Sequence, residues 1–330
     1  MITDITLGLS WGDEGKGKIT HHLLKSGKYT HVLRYNGGCN AGHTIYHEGK
    51  KFVTHHIPAG VFFGVKSIIG SGCVINLPKL FEEMKMLEDA GFDVYNLLKI
   101  ANNCHVITDA HMREDNLDEK IGTTKSGVGP AYSAKYARTG LRAEEVPEIN
   151  ALCIDLFSEL HDAKNVVVLC EGAQGYNLDI DWGNYPYVTS SHCSTAGALL
   201  NAIPHTSIRD TWGVIKSYDT YVGKLKFQAD DEIFNKIQKA GNEFGATTGR
   251  QRQCNWLNLD LLRRAILTNG VNNIVVNKMD ILEEVGVWKV IYRNEEISFQ
   301  DRAAFETFMT KWLTNLGIES VHYSDSPEKI

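Results

Sequence analysis

The sequence predicts an α/β fold: a mostly parallel central sheet flanked by helices, carried by one domain over residues 1–330. Three observations predict it. Residues 5–9, Ile-Thr-Leu-Gly-Leu, form a short apolar run that passes into a loop with Gly12, Gly15 and Gly17 and then into a helix-compatible stretch, 19–24. Residues 31–43 repeat that order, an apolar run followed by a glycine-rich loop. Asn165 to Cys170 is almost wholly apolar, as a strand covered on both faces must be.

The bulk numbers agree with such a fold. The chain has 330 residues, 43% apolar and 22% charged, the balance of a globular protein. Its net charge of −6 argues against nucleic acid as a main partner. No run of 18 apolar residues occurs, so no membrane span is expected. The N-terminus lacks a signal-peptide pattern, and the seven cysteines are an odd, scattered set without a CxxC. Reduced thiols in a cytoplasmic protein are the expectation.

The opening loop, Ser10-Trp-Gly-Asp-Glu-Gly-Lys-Gly-Lys18, follows a strand and precedes a helix. Glycines let backbone N–H groups approach phosphate oxygens, and the helix dipole favours the negative charge. Lys16 and Lys18 add positive charge. The spacing differs from the usual P-loop, because no Ser or Thr follows the lysine. Asp13 inside the loop would repel phosphates unless it holds Mg²⁺ or takes a proton from a substrate. The plain alternative is a glycine-rich turn with ordinary surface charges.

The second loop offers Asn40, the Gly42 backbone and His43. Histidine suits proton work near neutral pH. A lone loop histidine is usually a solvated surface residue. Two glycine loops delivering Asp13 and His43 at strand ends favour a site, because α/β sites form at the carboxyl ends of strands.

Residues 51–58 read as a strand ending at Pro58, with His55 and His56 structural. Ser67 to Ile75 reads as one buried strand. Asn76 caps a helix whose inner pattern runs through Leu80, Phe81, Met84 and Leu87. Residues 121–132, Ile-Gly-Thr-Thr-Lys-Ser-Gly-Val-Gly-Pro-Ala-Tyr, form a second phosphate-type loop with Thr123, Thr124, Gly127 and Gly129. Arg138 is placed on the helix that follows. The strand 165–170 ends at Glu171-Gly-Ala-Gln174-Gly, and Thr189 follows in Tyr185-Pro-Tyr-Val-Thr. Thr211 to Tyr218 is a further strand. The 241–252 loop carries Arg250 and Arg252, which suit carboxylates. Residues 257–268 read as an amphipathic helix. Asn273 to Val276 is a strand ending in Asn277-Lys278-Met-Asp280. An Asn-Lys-x-Asp at a strand end is the pattern by which GTP-binding proteins read guanine, the Asp carboxylate accepting from N1–H and the 2-amino group, which adenine cannot donate.

Taken together, these motifs resemble adenylosuccinate synthetase. The ordered set is Trp11-Gly-Asp-Glu-Gly-Lys-Gly-Lys18, Asn40-Ala-Gly-His-Thr44, Ile121-Gly-Thr-Thr124, Gly129-Pro-Ala-Tyr132, Glu171-Gly-Ala-Gln-Gly175, Tyr185-Pro-Tyr-Val-Thr-Ser190, Gly241 to Arg250 and Lys278-Met-Asp280. It spans essentially the whole chain, in a length like the compact forms of archaea and some phages. The resemblance implies a P-loop-like, GTP-dependent ligase fold. It also implies a two-step reaction: GTP phosphorylates O6 of IMP, and L-aspartate then displaces that phosphate. The related phage reaction, ligation of aspartate to dGMP with ATP or dATP as a possible donor, is the alternative, and those relatives tend to lose the loop carboxylate that Asp13 supplies here. A GTP-binding switch is the reading from another class.

Residue by residue, the resemblance implies that Asp13 takes the purine N1 proton and holds Mg²⁺ with the Gly42 backbone. His43 donates to the transferring phosphoryl group, and Lys16 holds phosphates. Gly12, Gly15, Gly17 and Lys18 fall in the GTP phosphate loop, and Lys278, Asp280 and Ser324 in the guanine pocket. Asn40, Thr124, Gln174, Thr189 and Val222 match IMP contacts, with Arg138 reaching across a homodimer. Thr248, Arg250 and Arg252 match the aspartate loop, Arg250 also reading the ribose. The chain departs from the family at Tyr221, Lys224-Leu-Lys226, Gln251, Gln253, Ser326 and Cys39.

Overall fold

A computed structural model of the chain describes residues 1–117, 119, 121–245 and 249–330. Among them, nine strands build the central sheet. In chain order they are β1 (Ile2–Gly8), β2 (His31–Arg34), β3 (Lys66–Ile69), β4 (Leu98–Ala101), β5 (Cys153–Ile154), β6 (Val167–Glu171), β7 (Ile208–Lys216), β8 (Asn273–Asn277) and β9 (Ser320–Tyr323). Their order is β9-β8-β7-β1-β6-β2-β3-β4-β5. Every neighbouring pair is parallel. The sheet therefore grows outward in both directions from β1 and β6, and loops at their carboxyl ends enclose a crevice.

β1 is buried from Thr3 to Gly8 because both faces of the sheet are covered. Ile5 and Leu7 join one contiguous cluster of buried apolar side chains that also takes in Val214, Ile274 and Ile318. Asp4 lies on the other face, fully buried. It accepts from Tyr29 Oη at 2.6 Å and from Arg209 Nε at 3.0 Å, with Lys28 Nζ 3.2 Å away.

Several boundaries differ from the sequence reading. The stretch 67–75 is two strands, β3 and Val74–Ile75, separated by a turn. The chain turns there because it crosses the end of β2 closely. A Cβ on Gly72 would lie 2.1 Å from the Tyr35 carbonyl oxygen. His43 does not sit in a loop: it opens a hairpin, His43–His47 with Lys50–Thr54. Arg138 is not within a helix but caps the C-terminus of Val128–Ala137 with a φ of 64°. Residues Gln253–Asn258 form a strand, and the helix begins only at Leu259, where Asn258 Oδ1 accepts from Asp260 and Leu261 N–H. In Leu77–Asp89, capped by Asn76 as expected, Glu83 and not Phe81 shares the inner face with Leu80, Met84 and Leu87. Glu83 tolerates that burial by accepting the N–H groups of His55, His56 and Ile57.

The opening helix, Lys16–Leu24, packs on the hairpin through His21, whose Nε2 lies 3.0 Å from His47 Nδ1. Burial, with His47 and Lys25 adding repulsion, pulls the His21 pKa down to about 4. The unfolded chain takes up a proton near pH 6.5 and the folded chain near 4. Stability from this site is therefore full above pH 6.5 and lost as pH falls toward 4. Urea titrations at pH 7 and pH 5 test this against His21→Gln, which keeps a donor for His47 and cannot titrate. The wild type is expected to lose about 2 kcal/mol more than the variant over that range, and parallel losses would refute the assignment.

Candidate active site

The loop after β1 is built around a buried carboxylate. Glu14, 2% exposed, accepts from Ser10 N–H at 3.2 Å, Gly12 N–H at 2.8 Å and Lys16 Nζ at 2.6 Å. Gly8 and Gly175 make room for it, since a Cβ on either would fall within 2.5 Å of its carboxylate oxygens. Gly15, with φ 98°, starts the helix without a side-chain cap, so N–H groups of the first turn stay available to an anion. Gly17 packs where a Cβ would sit 3.0 Å from the His43 Cβ, bringing the loop against the second motif. Lys16 spends one of three ammonium donors on Glu14. Lys18 is committed elsewhere. It donates to Asn277 Oδ1, to Ser324 Oγ at 2.7 Å and to the Ser326 carbonyl at 3.0 Å, which ties the phosphate loop to the C-terminal segment. Burial lowers its pKa to about 8, with Asp280 opposing.

His43 is positioned from behind. Its Nδ1 lies 2.5 Å from Glu171 Oε1, and Glu171 also accepts from Arg34 Nη2 at 2.6 Å and Ala59 N–H at 2.9 Å. Burial alone would raise the Glu171 carboxyl, but Arg34 and His43 outweigh it and hold the pKa at about 2. Burial, reinforced by Arg34, lowers His43 to about 4. The neutral ring thus keeps its proton on Nδ1 toward the Glu171 carboxylate. Nε2 is buried and has no hydrogen-bond partner among the described residues. The residues behind His43 were missed in the sequence. The available signal was a carboxylate closing an otherwise apolar strand, at Glu171, beside an arginine closing β2.

Asp13 occupies the left-handed region, φ 60°. Its Oδ2 accepts from Arg252 Nε at 2.7 Å. Arg252 Nη1 in turn donates to Glu243 Oε2 at 2.6 Å. Glu243 is fully buried, and it also receives Lys216 Nζ, 3.0 Å from both oxygens, and Tyr218 Oη at 2.6 Å. Nothing in the sequence reading singled out Glu243 or Lys216.

A cavity of about 940 Å³ joins these groups. Asp13, Lys16, Lys18, Asn40, Gly42, His43, Thr124, Gln174, Thr189, Val222, Arg250, Arg252, Lys278 and Asp280 all line it, as do Gly12, Gly15 and Gly17. Gln174 Nε2 donates to Asn40 Oδ1 at 3.3 Å. Arg250 Nη1 donates to the Gly122 carbonyl, linking two of the loops. At the far end Asn277 Nδ2 donates to the Glu14 carbonyl at 2.7 Å, and Lys278 Nζ to the Gly241 carbonyl at 2.9 Å. Two expected residues lie off the lining. Ser324 is 3% exposed and turned into the C-terminal segment, its hydroxyl bonded to the Ser326 and Lys329 carbonyls. Arg138 is exposed and outside this chain's cavity. Thr248 lies outside the described residues.

For a hard divalent cation, oxygen donors are needed. The part-exposed Asp13 carboxylate and the Gly42 backbone on the same cavity fit that requirement. The cluster Asp179, Asp181 and His192 fits it poorly. Both Asp179 oxygens already accept backbone N–H groups, from Asp181, Trp182, Cys193 and Ser194.

The family model described as adenylosuccinate synthetase matches residues 5–166 and 146–308. The chain is 38% identical to adenylosuccinate synthetase of Heliobacterium modesticaldum, over 90% of this chain and 83% of that protein. It is 37% identical to that of Salinibacter ruber, over 88% and 80%. The solved structure of fully ligated adenylosuccinate synthetase from Plasmodium falciparum superposes with a TM-score of 0.85 at 27% identity, covering 99% of this chain and 97% of that one. Succinoaminodeoxyadenylate synthetase of cyanophage S-2L, bound to dGMP and dATP, superposes with a TM-score of 0.76 at 20% identity, covering 99% and 93%. That second likeness speaks for the fold alone.

Proposed function

The chain belongs to the adenylosuccinate synthetase family, and from that premise we propose how its residues divide the work. It is a ligase of purine nucleotide biosynthesis, joining L-aspartate to IMP with GTP as the driving co-substrate. Carbonyl O6 of the purine is a poor leaving group. Attack of O6 on the γ-phosphorus forms an O–P bond, breaks the bond to GDP and makes O6 a phosphate. The aspartate amine then forms a C–N bond at C6 as phosphate departs, giving adenylosuccinate.

One observation carries the residue roles: Asp13 and His43 line the same cavity as Lys278 and Asp280. In this reading Asp13 accepts the purine N1 proton, which places negative charge on O6 for attack. His43, its Nδ1–H held by Glu171, takes a second proton onto Nε2 as phosphate charge enters the cavity and donates that N–H to the transferring phosphoryl group. Lys16 and the N–H groups at Gly15 and Gly17 hold phosphate oxygens. Lys18 lines the same cavity and ties this loop to the C-terminal segment. Asp280 and the Lys278 stem take guanine, with Ser324 behind the pocket wall. Asn40, Thr124, Gln174, Thr189 and Val222 contact IMP, Arg250 and Arg252 serve the aspartate carboxylates, and Arg250 also reads the ribose. Asp13 and the Gly42 carbonyl would hold Mg²⁺, which when bound neutralises phosphate oxygens. Arg138, exposed and off the lining of its own cavity, serves a partner subunit in a homodimer. No helix among the described residues is long and apolar enough to cross a membrane, and a cytoplasmic location is in keeping with that.

The test is succinyl-nucleotide formation with Mg²⁺, GTP and L-aspartate, comparing IMP with dGMP. Turnover of IMP is expected, with GDP released only when IMP and L-aspartate are both present. Turnover of dGMP alone would move the chain to the 2-aminoadenine reaction. GTP hydrolysis without either substrate would make it a switch.

A further inference from the structure

We propose that Arg252 is a latch shared by two carboxylates: it covers Asp13 until the amino-acid substrate draws it away, and a buried cluster of Glu243, Lys216 and Tyr218 holds it in position for both. The proposal rests on the ligase reading above.

The guanidinium is bound at two places. Nε donates to Asp13 at 2.7 Å and Nη1 to Glu243 at 2.6 Å. A carboxylate that takes a guanidinium side-on uses Nε and Nη2 together. On that edge L-aspartate gains the bidentate contact by displacing Asp13 from Nε. The exchange frees the oxygen that N1 of the purine needs. Amino-acid binding and unmasking of Asp13 thereby become one event.

The second anchor keeps the arginine from being lost when Asp13 lets go. Glu243 is fully buried, and Lys216, itself 3% exposed, reaches both of its oxygens at 3.0 Å and Thr220 Oγ1 at 2.8 Å. Tyr218 Oη completes the shell at 2.6 Å. Burial would push the Glu243 carboxyl up, but Lys216 and Arg252 hold its pKa at about 2, so it stays an anion. A buried carboxylate with this many fixed donors does not rotate away, and Arg252 pivots on it. Glu243 and Tyr218 lie off the cavity lining and act through Arg252 as positioning residues, while Lys216 holds Glu243 from the cavity's edge.

The experiment first confirms adenylosuccinate formation by the wild type. Calorimetry then measures IMP binding with and without saturating succinate, which carries the carboxylates of aspartate but no amine. Succinate is expected to tighten IMP about five-fold in the wild type. In Arg252→Lys, which has no fork, that effect is expected to fall below about two-fold while IMP alone binds no more weakly than to the wild type. Tyr218→Phe removes one contact to Glu243 and leaves every charge in place. It is expected to raise KM for L-aspartate about three-fold or more, with KM for GTP within about two-fold of the wild type. Glu243→Gln should do the same more strongly if it folds, and Tyr218→Phe decides the matter if it does not. Adenylosuccinate formation with no succinate effect on IMP overturns the latch alone. Weaker IMP binding by Arg252→Lys in both conditions overturns it too, by making the arginine a simple structural support. An unchanged KM for L-aspartate in Tyr218→Phe overturns the positioning role. No adenylosuccinate from the wild type removes the ligase reading and the latch with it.

Discussion

Asp13→Asn is expected to lower adenylosuccinate formation by about 10³-fold or more while the protein stays folded. The amide matches the carboxylate in shape but cannot take a proton from N1, and a positioned base is worth about 10²–10⁴-fold. It is also a poorer donor to a divalent cation. The fold should hardly notice. Asp13 is about a third exposed, and its sole described side-chain contact is with Arg252, which keeps Glu243 as a second partner. Part-exposed pairs of this kind contribute about 1 kcal/mol or less. The check pairs a product assay with a urea titration. Activity above about a tenth of the wild type's would remove Asp13 from the proton-acceptor role. Lost activity with lost stability would leave the role undecided, and Asp13→Glu, which restores a carboxylate on a longer stem, then separates the two: partial recovery supports the role.

His43→Asn is expected to reduce kcat by about 10³-fold, with KM for IMP and GTP changed only a few-fold. The reason lies in which contacts are lost. Glu171 is fully buried but would keep Arg34 and the Ala59 N–H, so removing the ring does not strand a charge in the core. What goes is the ring that, protonated on Nε2 once phosphate charge is in the cavity, donates to the phosphoryl oxygens as charge develops on them. A fall in both kcat and stability in proportion would mean that the ring is structural. Glu171→Gln offers an independent reading. The His43 ring loses its charged partner and its fixed tautomer, so kcat should fall by about ten-fold or more with the ring still present. An unaltered kcat in Glu171→Gln would show that the buried contact does not orient His43.

Much of this was legible from residue types alone. Apolar runs at 5–9 and 165–170 marked central strands, because a parallel sheet needs side chains that bury on both faces. Glycines after the first two strands marked phosphate-type loops. The Asn277-Lys-Met-Asp280 motif at the end of β8 marked a candidate base site by the hydrogen bonds guanine can donate, and Lys278 and Asp280 line the cavity. Boundaries were less legible. The turn at 70–73 exists because Gly70 and Gly72 must pass the end of β2, a contact with Arg34 and Tyr35 far along the chain.

The sequence by itself determined the fold class, the loops that close on the cavity, and the residues Asp13, Lys16, His43, Lys278 and Asp280 that line it. Each of these follows from local chemistry: strand composition, loop flexibility, charge. The tertiary structure alone decided who holds those residues in place. Glu171 comes to His43 from 128 positions away and Lys216 to Glu243 from 27, whereas Glu14 reaches Lys16 from only two. A buried charge is stable only with its partner beside it. That pairing is fixed by where the sheet order puts β1, β2, β6 and β7, and the order of residues along the chain carries no trace of it.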